Sequence, residues 1–335
     1  MKILITGIAG LLGSNLARFI RDSTDDQVVG IDDLSCGLAS NIPRGVRWCE
    51  CRIGHGSCDQ LFAVEKPDVV YHLAAYAAEC LSPFIRCYNY RNNLVATAEV
   101  VNACLNHGVQ RLVFTSSMAV YGDGDPPFCE DHPCQPIDPY GNAKLACERD
   151  IQIAGEQHGL DWTVIRPHNV YGPGQVCTQR FRNVFGIWMW RHLHGEPLLI
   201  YGDGTQQRAF SYVGDIVLPL YLAGTSRTAS GQVINLGGTA PTTINQASHA
   251  LRDVMGGGAI EYREARHEVH QAWCTVEKSQ ELLGYRDQTS LEDGLAAMWD
   301  WARRTDQDVA AAPAIEVEDG LPSYWREPAK YLQSC

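Results

Sequence analysis

The sequence lacks the features that mark membrane-spanning, secreted and nucleic-acid-binding proteins. None of its apolar runs approaches the roughly 20 residues that a membrane helix needs. Its 27 basic residues form no cluster, and 39 acidic residues give a net charge of −12, which argues against nucleic acid or an anionic membrane as a partner. The first residues, MKILITGIAG, lack the charged region and the cleavage site of a signal peptide. We therefore expect a cytoplasmic protein without a membrane partner.

Cysteine is plentiful, but its spacing is not that of a metal site or a disulfide framework. The 13 cysteines are scattered, and no two have the Cys-x-x-Cys spacing that is typical of metal ligands. The closest pair, Cys49 and Cys51, would share one face of a strand. We expect packed, reduced thiols and no metal site.

Length and hydrophobic patterning indicate an α/β protein of about two domains. The first half alternates short apolar runs with amphipathic stretches, which is typical of a doubly wound parallel sheet with helices on both faces. The predicted strands are Lys2–Thr6, Val28–Ile31, Val69–Leu73, Arg111–Thr115 and Trp162–Ile165. The predicted helices of this half are Leu11–Arg21, Asn92–Asn106 and Asn142–His158.

The second half indicates a smaller domain interleaved with the first. Loops rich in Gly and Pro follow Arg166, and the apolar stretches Phe210–Ala223 and Val233–Leu236 suggest a return to the sheet. Helices are predicted at Ile244–Met255, Glu277–Leu283 and Leu291–Ala302, the last with a capping box from Ser290 to Asp293. The expected division is 1–166 with 211–237 for the sheet domain, and 167–210 with 238–335 for a substrate-binding domain.

A glycine-rich turn follows the first predicted strand. Gly7, Gly10 and Gly13 allow the backbone to approach a pyrophosphate, which would lie at the positive end of the following helix. Asp32 closes the second strand about 20 residues further on, where a carboxylate accepts from both ribose hydroxyls and repels a 2′-phosphate. The pattern predicts a Rossmann domain that binds NAD rather than NADP. The alternative is an ordinary strand–helix turn with an acid at the surface.

A tyrosine and a lysine lie four residues apart at the start of a predicted helix. Tyr140 and Lys144 therefore share one face, and the cation would lower the phenol pKa from about 10 towards working pH. Such a tyrosine is a usable general base. The chain has only five lysines, so chance alone would rarely place one four residues after a tyrosine at a helix start. The alternative is a pair on the helix surface, with the tyrosine packed on a sheet edge.

Four further motifs extend this pattern over nearly the whole chain: His72–Ala75, Thr115–Gly122, Arg166–Pro173 and Gly202–Phe210. With them the chain resembles the extended short-chain dehydrogenases/reductases, in the NAD-dependent sugar-nucleotide epimerase/dehydratase family, and within it the UDP-glucose 4-epimerases most. The resemblance implies NAD as cofactor, a nucleoside-diphosphate sugar as substrate and a homodimer formed through the helices near 92–106 and 142–158.

The resemblance also implies roles for individual residues. Ser117, Tyr140 and Lys144 would be catalytic. The implied cofactor-binding residues are Gly7, Gly10, Leu11, Leu12, Gly13, Asp32, Asp33, Arg52, Ile53, Leu73, Ala74, Ala75, Asn93, Thr115, Tyr140, Lys144, Pro167 and Asn169. The implied substrate-binding residues are Ser117, Tyr140, Asn169, Asn183, Val184, Leu199, Tyr201, Arg208 and Arg266. The forked donors of an arginine suit a diphosphate, and Arg263 could take the place of Arg266.

Departures from the family pattern narrow the expected reaction. Arg52 stands where relatives carry an Asp near the adenine, and it could stack on the base or admit NADP. Met118 and Ala119 replace the acid–base pair of sugar dehydratases, which disfavours loss of water. We expect a 4-epimerase, with a UDP-hexose as substrate. A reductase or dehydrogenase, another epimerase, a decarboxylase and a non-catalytic dinucleotide sensor are the alternatives, and the sugar stays open.

Overall fold

A seven-stranded sheet lies at the centre of the molecule, in a computed structural model that describes residues 1–56, 58–178, 181, 183–266, 268–307, 312–322 and 325. The strands are β1 (Lys2–Thr6), β2 (Gln27–Asp32), β3 (Arg47–Glu50), β4 (Val69–His72), β5 (Arg111–Thr115), β6 (Trp162–His168), β7 (Val170–Tyr171), β8 (Leu198–Tyr201), β9 (Gln207–Ala209), β10 (Ser211–Tyr212), β11 (Gln232–Gly237), β12 (Pro241–Thr243), β13 (Ile260–Arg263) and β14 (Gln271–Ala272).

The helices are α1 (Leu11–Ser23), α2 (Cys58–Glu65), α3 (Arg86–Tyr90), α4 (Ala96–Asn106), α5 (Pro139–His158), α6 (Val184–Leu193), α7 (Val213–Thr225), α8 (Ile244–Met255), α9 (Glu277–Leu283) and α10 (Leu291–Ala302). Short 3₁₀ turns lie at Ala39–Asn41, Ser82–Phe84, Met118–Val120 and Arg227–Ala229, and a π-helical turn at Arg91–Val95 joins α3 to α4. None of the helices in the described part of the chain is long and apolar enough to cross a membrane.

The order of the central sheet confirms the predicted fold class. Its strands lie in the order β3-β2-β1-β4-β5-β6-β11, and every neighbouring pair is parallel. This is the doubly wound Rossmann order, in which the chain reverses direction across the sheet next to β1. The carboxyl ends of parallel strands meet at one edge, so the loops after β1, β2, β4, β5 and β6 come together there.

Alternation along β1 explains why helices cover both faces of the sheet. Ile3 and Ile5 point to one face, where they join a core formed with α1, α7 and α9. Leu4 points to the other face, into a core formed with α2, α4 and α5. All three side chains are fully buried. A strand that is apolar on both sides therefore needs both layers, as the continuous apolar runs predicted.

A separate core lies under the second half of the chain. It contains Phe185 and Trp188 of α6, Leu251 of α8 and Met298 of α10, and it packs around β8. By contrast, Leu283 of α9 belongs to the core beneath the sheet. The division of the chain into two domains at the expected boundaries stays a prediction.

Three local expectations were wrong. The stretch Phe210–Ala223 does not return to the sheet as a strand, because Val213–Thr225 forms helix α7 on the sheet's face; a continuous apolar run suits a buried strand and a buried helix equally. The single helix expected at Asn92–Asn106 is interrupted by the π turn. At Ser290 the hydroxyl accepts from the Asp293 N–H, but the Asp293 carboxylate meets that same hydroxyl at 2.7 Å instead of closing a capping box.

The cysteines of the described residues form no disulfide bonds with one another. Cys58, Cys104, Cys147, Cys177 and Cys274 are buried as expected. Cys49, Cys87 and Cys129, in contrast, are exposed and not packed. Within the described residues, no group of three or more His, Cys, Asp or Glu side chains is placed to hold a metal ion.

Candidate active site

The glycine turn after β1 is built so that only glycine fits at its closest approach. Gly7 has a φ of +74°, and its N–H donates to the Ile31 carbonyl at 2.8 Å. A Cβ on Gly13 would lie 2.1 Å from the Gly7 carbonyl oxygen, so α1 starts directly against the turn. The first N–H groups of a helix have no partner within the helix. Here they lie at the cavity wall, where they suit an anionic pyrophosphate.

Asp32 at the end of β2 fixes the same turn. Its carboxylate accepts from the N–H of Ala9 and from the N–H of Leu34, both at 2.8 Å. Burial raises the pKa of this carboxyl, and the hydrogen bonds from Ala9 and Leu34 act against that rise. The sequence predicted only a ribose contact for Asp32. The structure shows that Asp32 also joins β2 to the glycine turn.

The predicted catalytic side chains meet at the carboxyl end of β5. Lys144 is 2% exposed, donates from Nζ to the Thr115 carbonyl at 2.7 Å, and has Nζ 5.9 Å from the centre of the Tyr140 ring. Burial lowers the pKa of Lys144 to about 8. The Ser117 hydroxyl accepts from the Ala119 N–H at 3.1 Å. An oxygen that accepts in this way keeps its own proton for donation.

Helix α5 begins in a way that fixes Tyr140. Asp138 caps the helix, since its Oδ1 accepts from the N–H groups of Tyr140 at 2.8 Å and Gly141 at 3.0 Å, and Pro139 occupies the first helical position. The Ser82 hydroxyl accepts from the Tyr140 N–H at 3.2 Å, and its oxygen also lies 3.2 Å from Oδ1 of Asp138. The backbone of Tyr140 is thus held from two elements.

Two arginines lie at the other end of the site. Nη2 of Arg208 is 3.6 Å from the Glu268 carboxylate, and Nη2 of Arg266 is 3.3 Å from it. The Arg266 guanidinium also lies 4.6 Å from the centre of the Tyr201 ring, and its buried Nε has no hydrogen-bond partner within the described residues. A buried donor without an acceptor suits an anionic ligand. Arg263 pairs instead with Glu261 at 2.8 Å and is not part of the cavity wall.

One cavity of about 930 Å³ connects these features. It runs from Asp32 and the glycine turn, past Lys144, to the arginines. The predicted site residues in its wall are Gly7, Gly10, Leu11, Leu12, Gly13, Asp32, Asp33, Ile53, Leu73, Ala74, Ala75, Thr115, Ser117, Tyr140, Lys144, Pro167, Asn169, Asn183, Val184, Leu199, Tyr201, Arg208 and Arg266. The cavity therefore has a turn suited to a pyrophosphate at one end, arginines at the other and a tyrosine–lysine pair between them.

Comparison with known proteins assigns the chain to a family. The model of the NAD dependent epimerase/dehydratase family matches residues 3–237. The chain belongs to this family. The resemblance that the sequence motifs indicated is thus confirmed, and NAD is the cofactor that the family description names.

Individual members of the family match almost end to end. A UDP-glucose 4-epimerase of Mycolicibacterium smegmatis is 31% identical, with 92% of this chain and 100% of the relative covered. The structure of UDP-glucose 4-epimerase from Thermotoga maritima with UDP-glucose has a TM-score of 0.84 at 30% identity and covers 91% of this chain and 99% of that one. UDP-glucuronic acid 4-epimerase from Bacillus cereus, with UDP-glucuronic acid and NAD, has a TM-score of 0.83 at 28% identity, with the same coverage.

Two predicted cofactor residues of this family member lie outside the cavity wall. Asn93 is 2% exposed; its amide pairs with both backbone groups of Tyr76 and donates to Asn89, which in turn donates to the Pro139 carbonyl. Asn93 therefore braces the loop after β4 against α5. Arg52 lies outside the wall, 3.7 Å from the Asp33 carboxylate, and its choice between NAD and NADP stays a prediction.

The sequence missed several residues that line the site of this epimerase/dehydratase family chain. Glu79 and Glu268 are carboxylates in the cavity wall. The signal in the sequence for Glu79 is its place four residues after the His72–Ala75 motif. The described residues 312–322, together with Trp325, form what we call the C-terminal strap. Gly320, Pro322 and Trp325 of the strap line the cavity, and no motif or pattern in the sequence indicated this.

The strap is fastened to α3 and to the turn just before it. The N–H of Glu316 donates to the Phe84 carbonyl at 2.8 Å, and the Glu316 carboxylate accepts from the N–H groups of Cys87 and Tyr88 at 2.7 and 2.8 Å. The Trp325 ring packs edge-on against Phe84, with the ring centres 5.9 Å apart. The last part of the described chain therefore forms one wall of the site.

Proposed function

We propose that the protein interconverts UDP-hexoses at C4, as a nucleotide-sugar 4-epimerase. The observation that carries the proposal is that Ser117, Tyr140 and Lys144 line the same cavity as Arg208 and Arg266. One cavity thus offers an acid–base group along its wall and a pair of cations at one end. Relatives that are named for UDP-sugar 4-epimerisation cover almost the whole chain and support the choice of substrate.

NAD fits the other part of the cavity, where the glycine turn presents helix N–H groups and Asp32 ends β2. When bound there, NAD supplies the hydride acceptor and donor that oxidation and reduction at C4 require. Gly7, Gly10 and Gly13 would hold its pyrophosphate. Lys144 would hold its nicotinamide ribose while its charge acts on Tyr140.

The protein's own part in the reaction is proton transfer and orientation. Tyr140 removes the proton of the C4 hydroxyl and later returns it, because the nearby Lys144 cation stabilises the phenolate. The Thr115 carbonyl holds Lys144 in this position. The Ser117 oxygen accepts from the Ala119 N–H, so its hydroxyl proton is available to be donated to a sugar oxygen beside the reacting carbon.

Anchoring at the diphosphate allows the sugar ring to present either face to the reacting centre. Arg208 and Arg266 offer forked donors to the phosphate oxygens, and the unpartnered Nε of Arg266 gives one such donor. Glu268 holds both guanidinium groups in place through its carboxylate. Met118 and Ala119 in the wall bring neither acid nor base, so the site supports epimerisation over loss of water.

The proposal includes a cytoplasmic homodimer formed through the segments 92–106 and 142–158. Each of these segments carries an exposed large apolar side chain, Val95 at 48% and Ile153 at 41% exposure. The absence of disulfide bonds among the described cysteines suits a reducing compartment.

The test is proton NMR of the purified protein with UDP-, dTDP-, GDP- and CDP-sugars and no added nicotinamide. We expect conversion of a UDP-hexose to its C4 epimer, because the reaction returns the hydride that it removes. Tyr140→Phe should lower turnover by roughly 10²–10⁴-fold, the usual contribution of a general acid–base group, while bound NAD is retained.

Tyr262→Phe is the matched control, since this tyrosine is 54% exposed and lies outside the cavity wall. It should turn over at the wild-type rate. Absence of any epimer from a protein that carries NAD would contradict the proposal. Net release of NADH would then favour a dehydrogenase, and binding without any reaction would favour a sensor.

A further inference from the structure

A carboxylate without a partner among the described residues lines the cavity. Glu79 lies in the wall, and no hydrogen bond or ion pair joins its side chain to another residue of the described chain. Four other acids of the wall are engaged: Asp32 with the glycine turn, Asp33 with Arg52, Asp138 with the start of α5, and Glu268 with both arginines. Glu264, which follows β13, is the remaining carboxylate of the wall. The Glu79 carboxylate is therefore free to interact with a ligand.

The backbone of Glu79 fixes this side chain beside the catalytic helix. Its carbonyl accepts from the Ser82 hydroxyl at 2.8 Å and from the Ser82 N–H at 3.1 Å. The same Ser82 hydroxyl contacts Asp138 and the Tyr140 N–H. The segment that carries Glu79 is thus tied to the residue that would act as the base.

Charges at both sides of the site act on the Glu79 carboxyl. Solvent reaches the Glu79 side chain through the open cavity, but the protein around its carboxyl still hinders hydration and raises the pKa to about 7; Asp138 and Glu268 add to this rise, and Arg208 and Arg266 oppose it. The Glu79 carboxyl therefore interacts with charges at the start of α5 and with the two arginines, which border the interval between the tyrosine and the diphosphate site. In a nucleotide sugar, the hexose occupies this interval, because it joins the reacting C4 to the diphosphate.

The two candidate classes of hexose differ in charge at C6. An uncharged hexose offers hydroxyl donors that a carboxylate accepts, and charge-assisted hydrogen bonds of this kind are stronger than neutral ones. A hexuronic acid brings a second carboxylate into a partly desolvated cavity, where like charges repel strongly. Discrimination between related ligands often rests on such a repulsive element.

We propose that Glu79 is a specificity-determining residue that selects nucleotide sugars with an uncharged hexose and rejects those with a C6 carboxylate. The inference rests on the proposed function, because it assigns the hexose of that reaction to the interval beside Glu79. It chooses between the glucose and glucuronate substrates that the names of similar proteins leave open.

The experiment compares kcat/KM for UDP-glucose and UDP-glucuronate in the wild-type protein and in Glu79→Gln. We expect the wild type to prefer UDP-glucose. Glu79→Gln keeps the shape and removes the charge, so it should move the ratio of the two kcat/KM values by at least about tenfold towards UDP-glucuronate. Glu79→Ala should move the ratio in the same direction, since it also removes the charge.

Glu264→Gln is the matched control. Glu264 is an exposed cavity glutamate that follows β13, whose Arg263 lies in register with Tyr201 of β8, away from the catalytic helix. This variant should leave the ratio within twofold of the wild type. Thermal unfolding and NAD content of each variant verify that the fold is intact.

Binding separates this inference from the proposed function. Isothermal titration of both ligands into Tyr140→Phe, with and without Glu79→Gln, measures the preference without turnover. If the wild type never epimerises either sugar, while Tyr140→Phe binds UDP-glucose in preference and Glu79→Gln removes that preference, the proposed function is overturned and the inference stands. An unchanged ratio in Glu79→Gln, or a wild type that prefers UDP-glucuronate, would overturn the inference alone. Failure of both ligands to bind would overturn both.

Discussion

Burial acts on two ionisable side chains of the cavity in opposite directions. It raises the pKa of Glu79 to about 7 and lowers the pKa of Lys144 to about 8. Loss of hydration is the largest cause of both shifts, because a poorly hydrated environment disfavours whichever form is charged. Near neutral pH, small changes in acidity therefore change the charge of the cavity wall.

The charge on Glu79 leads to a pH dependence of specificity. Above about pH 7 its carboxyl is ionised and repels a C6 carboxylate, and as the pH falls through 7 it gains a proton and the repulsion is lost. The ratio of kcat/KM for UDP-glucose over UDP-glucuronate should therefore fall between pH 8.5 and 6. The charged groups that face Glu79 are Asp138, Arg208, Arg266 and Glu268.

Glu79→Gln separates Glu79 from these neighbours. It retains all four, so its ratio should stay flat over the same pH range if Glu79 is the titrating group. A ratio that falls equally in the variant would assign the effect to another group. The use of a ratio also cancels pH effects on Tyr140 and Lys144, because both substrates depend on them.

At the level of residues, the sequence was informative where the chemistry is local. Tyr140 and Lys144 could be predicted to lie together because four residues of helix separate them. Glu79 could not be assigned to the site in this way, since its position depends on contacts between Ser82 and the start of α5. Asn93 was expected at the cofactor, yet its amide is satisfied by Tyr76 and Asn89 behind the cavity wall. Its predicted cofactor contact stays a prediction.

At the level of elements, the turn between β1 and α1 depends on one close approach. A Cβ on Gly13 would lie 2.1 Å from the Gly7 oxygen and 2.8 Å from the Gly7 carbonyl carbon. Because these atoms are backbone, the turn itself must move to make room. Gly13→Ala should therefore destabilise the protein by about 1–3 kcal/mol and lower its NAD content, as measured by urea unfolding and absorbance of extracted cofactor.

Gly10→Ala is the comparison for this prediction. Gly10 has a φ of −80°, and its added Cβ would meet one atom, the Gly7 oxygen, at 3.3 Å. We expect a clearly smaller loss of stability than in Gly13→Ala. Equal losses in the two variants would contradict the steric explanation.

Strands of the sheet could be predicted because their apolar runs are short and bounded, and β1 and β5 begin and end as expected. Helix α7 could not, since a run that is apolar throughout suits either a buried helix or a buried strand. The full capping box of α8, formed by Thr243 and Gln246, was not predicted, and the box predicted at Ser290 is only half formed. Which cap closes depends on rotamers that sequence spacing does not determine.

At the level of the whole molecule, the proposed dimer predicts that an exposed apolar side chain of α5 lies in the interface. Ile153 lies on α5, the helix that carries Tyr140, with 41% of its surface exposed. Light scattering should give twice the chain mass of 37.0 kDa for the wild type. Ile153→Glu should give the monomer, because a charge in an apolar interface is costly to bury.

Leu218→Glu provides the control for dimerisation. Leu218 is 48% exposed on α7, which covers the opposite face of the sheet from α5. This variant should remain a dimer. A wild type of single-chain mass would contradict the proposed assembly, and a dimeric Ile153→Glu would show that the contact lies elsewhere.

The C-terminal strap has a consequence for the order in which the protein is made. The glycine turn that begins at Gly7 leaves the ribosome first, whereas Pro322 and Trp325 of the same cavity wall leave it after every other described part of the site. During translation the sheet and its phosphate turn exist before this wall does. The nascent chain therefore passes through a stage in which the cavity is open on the strap side, and a dinucleotide can enter there before the strap docks on Phe84.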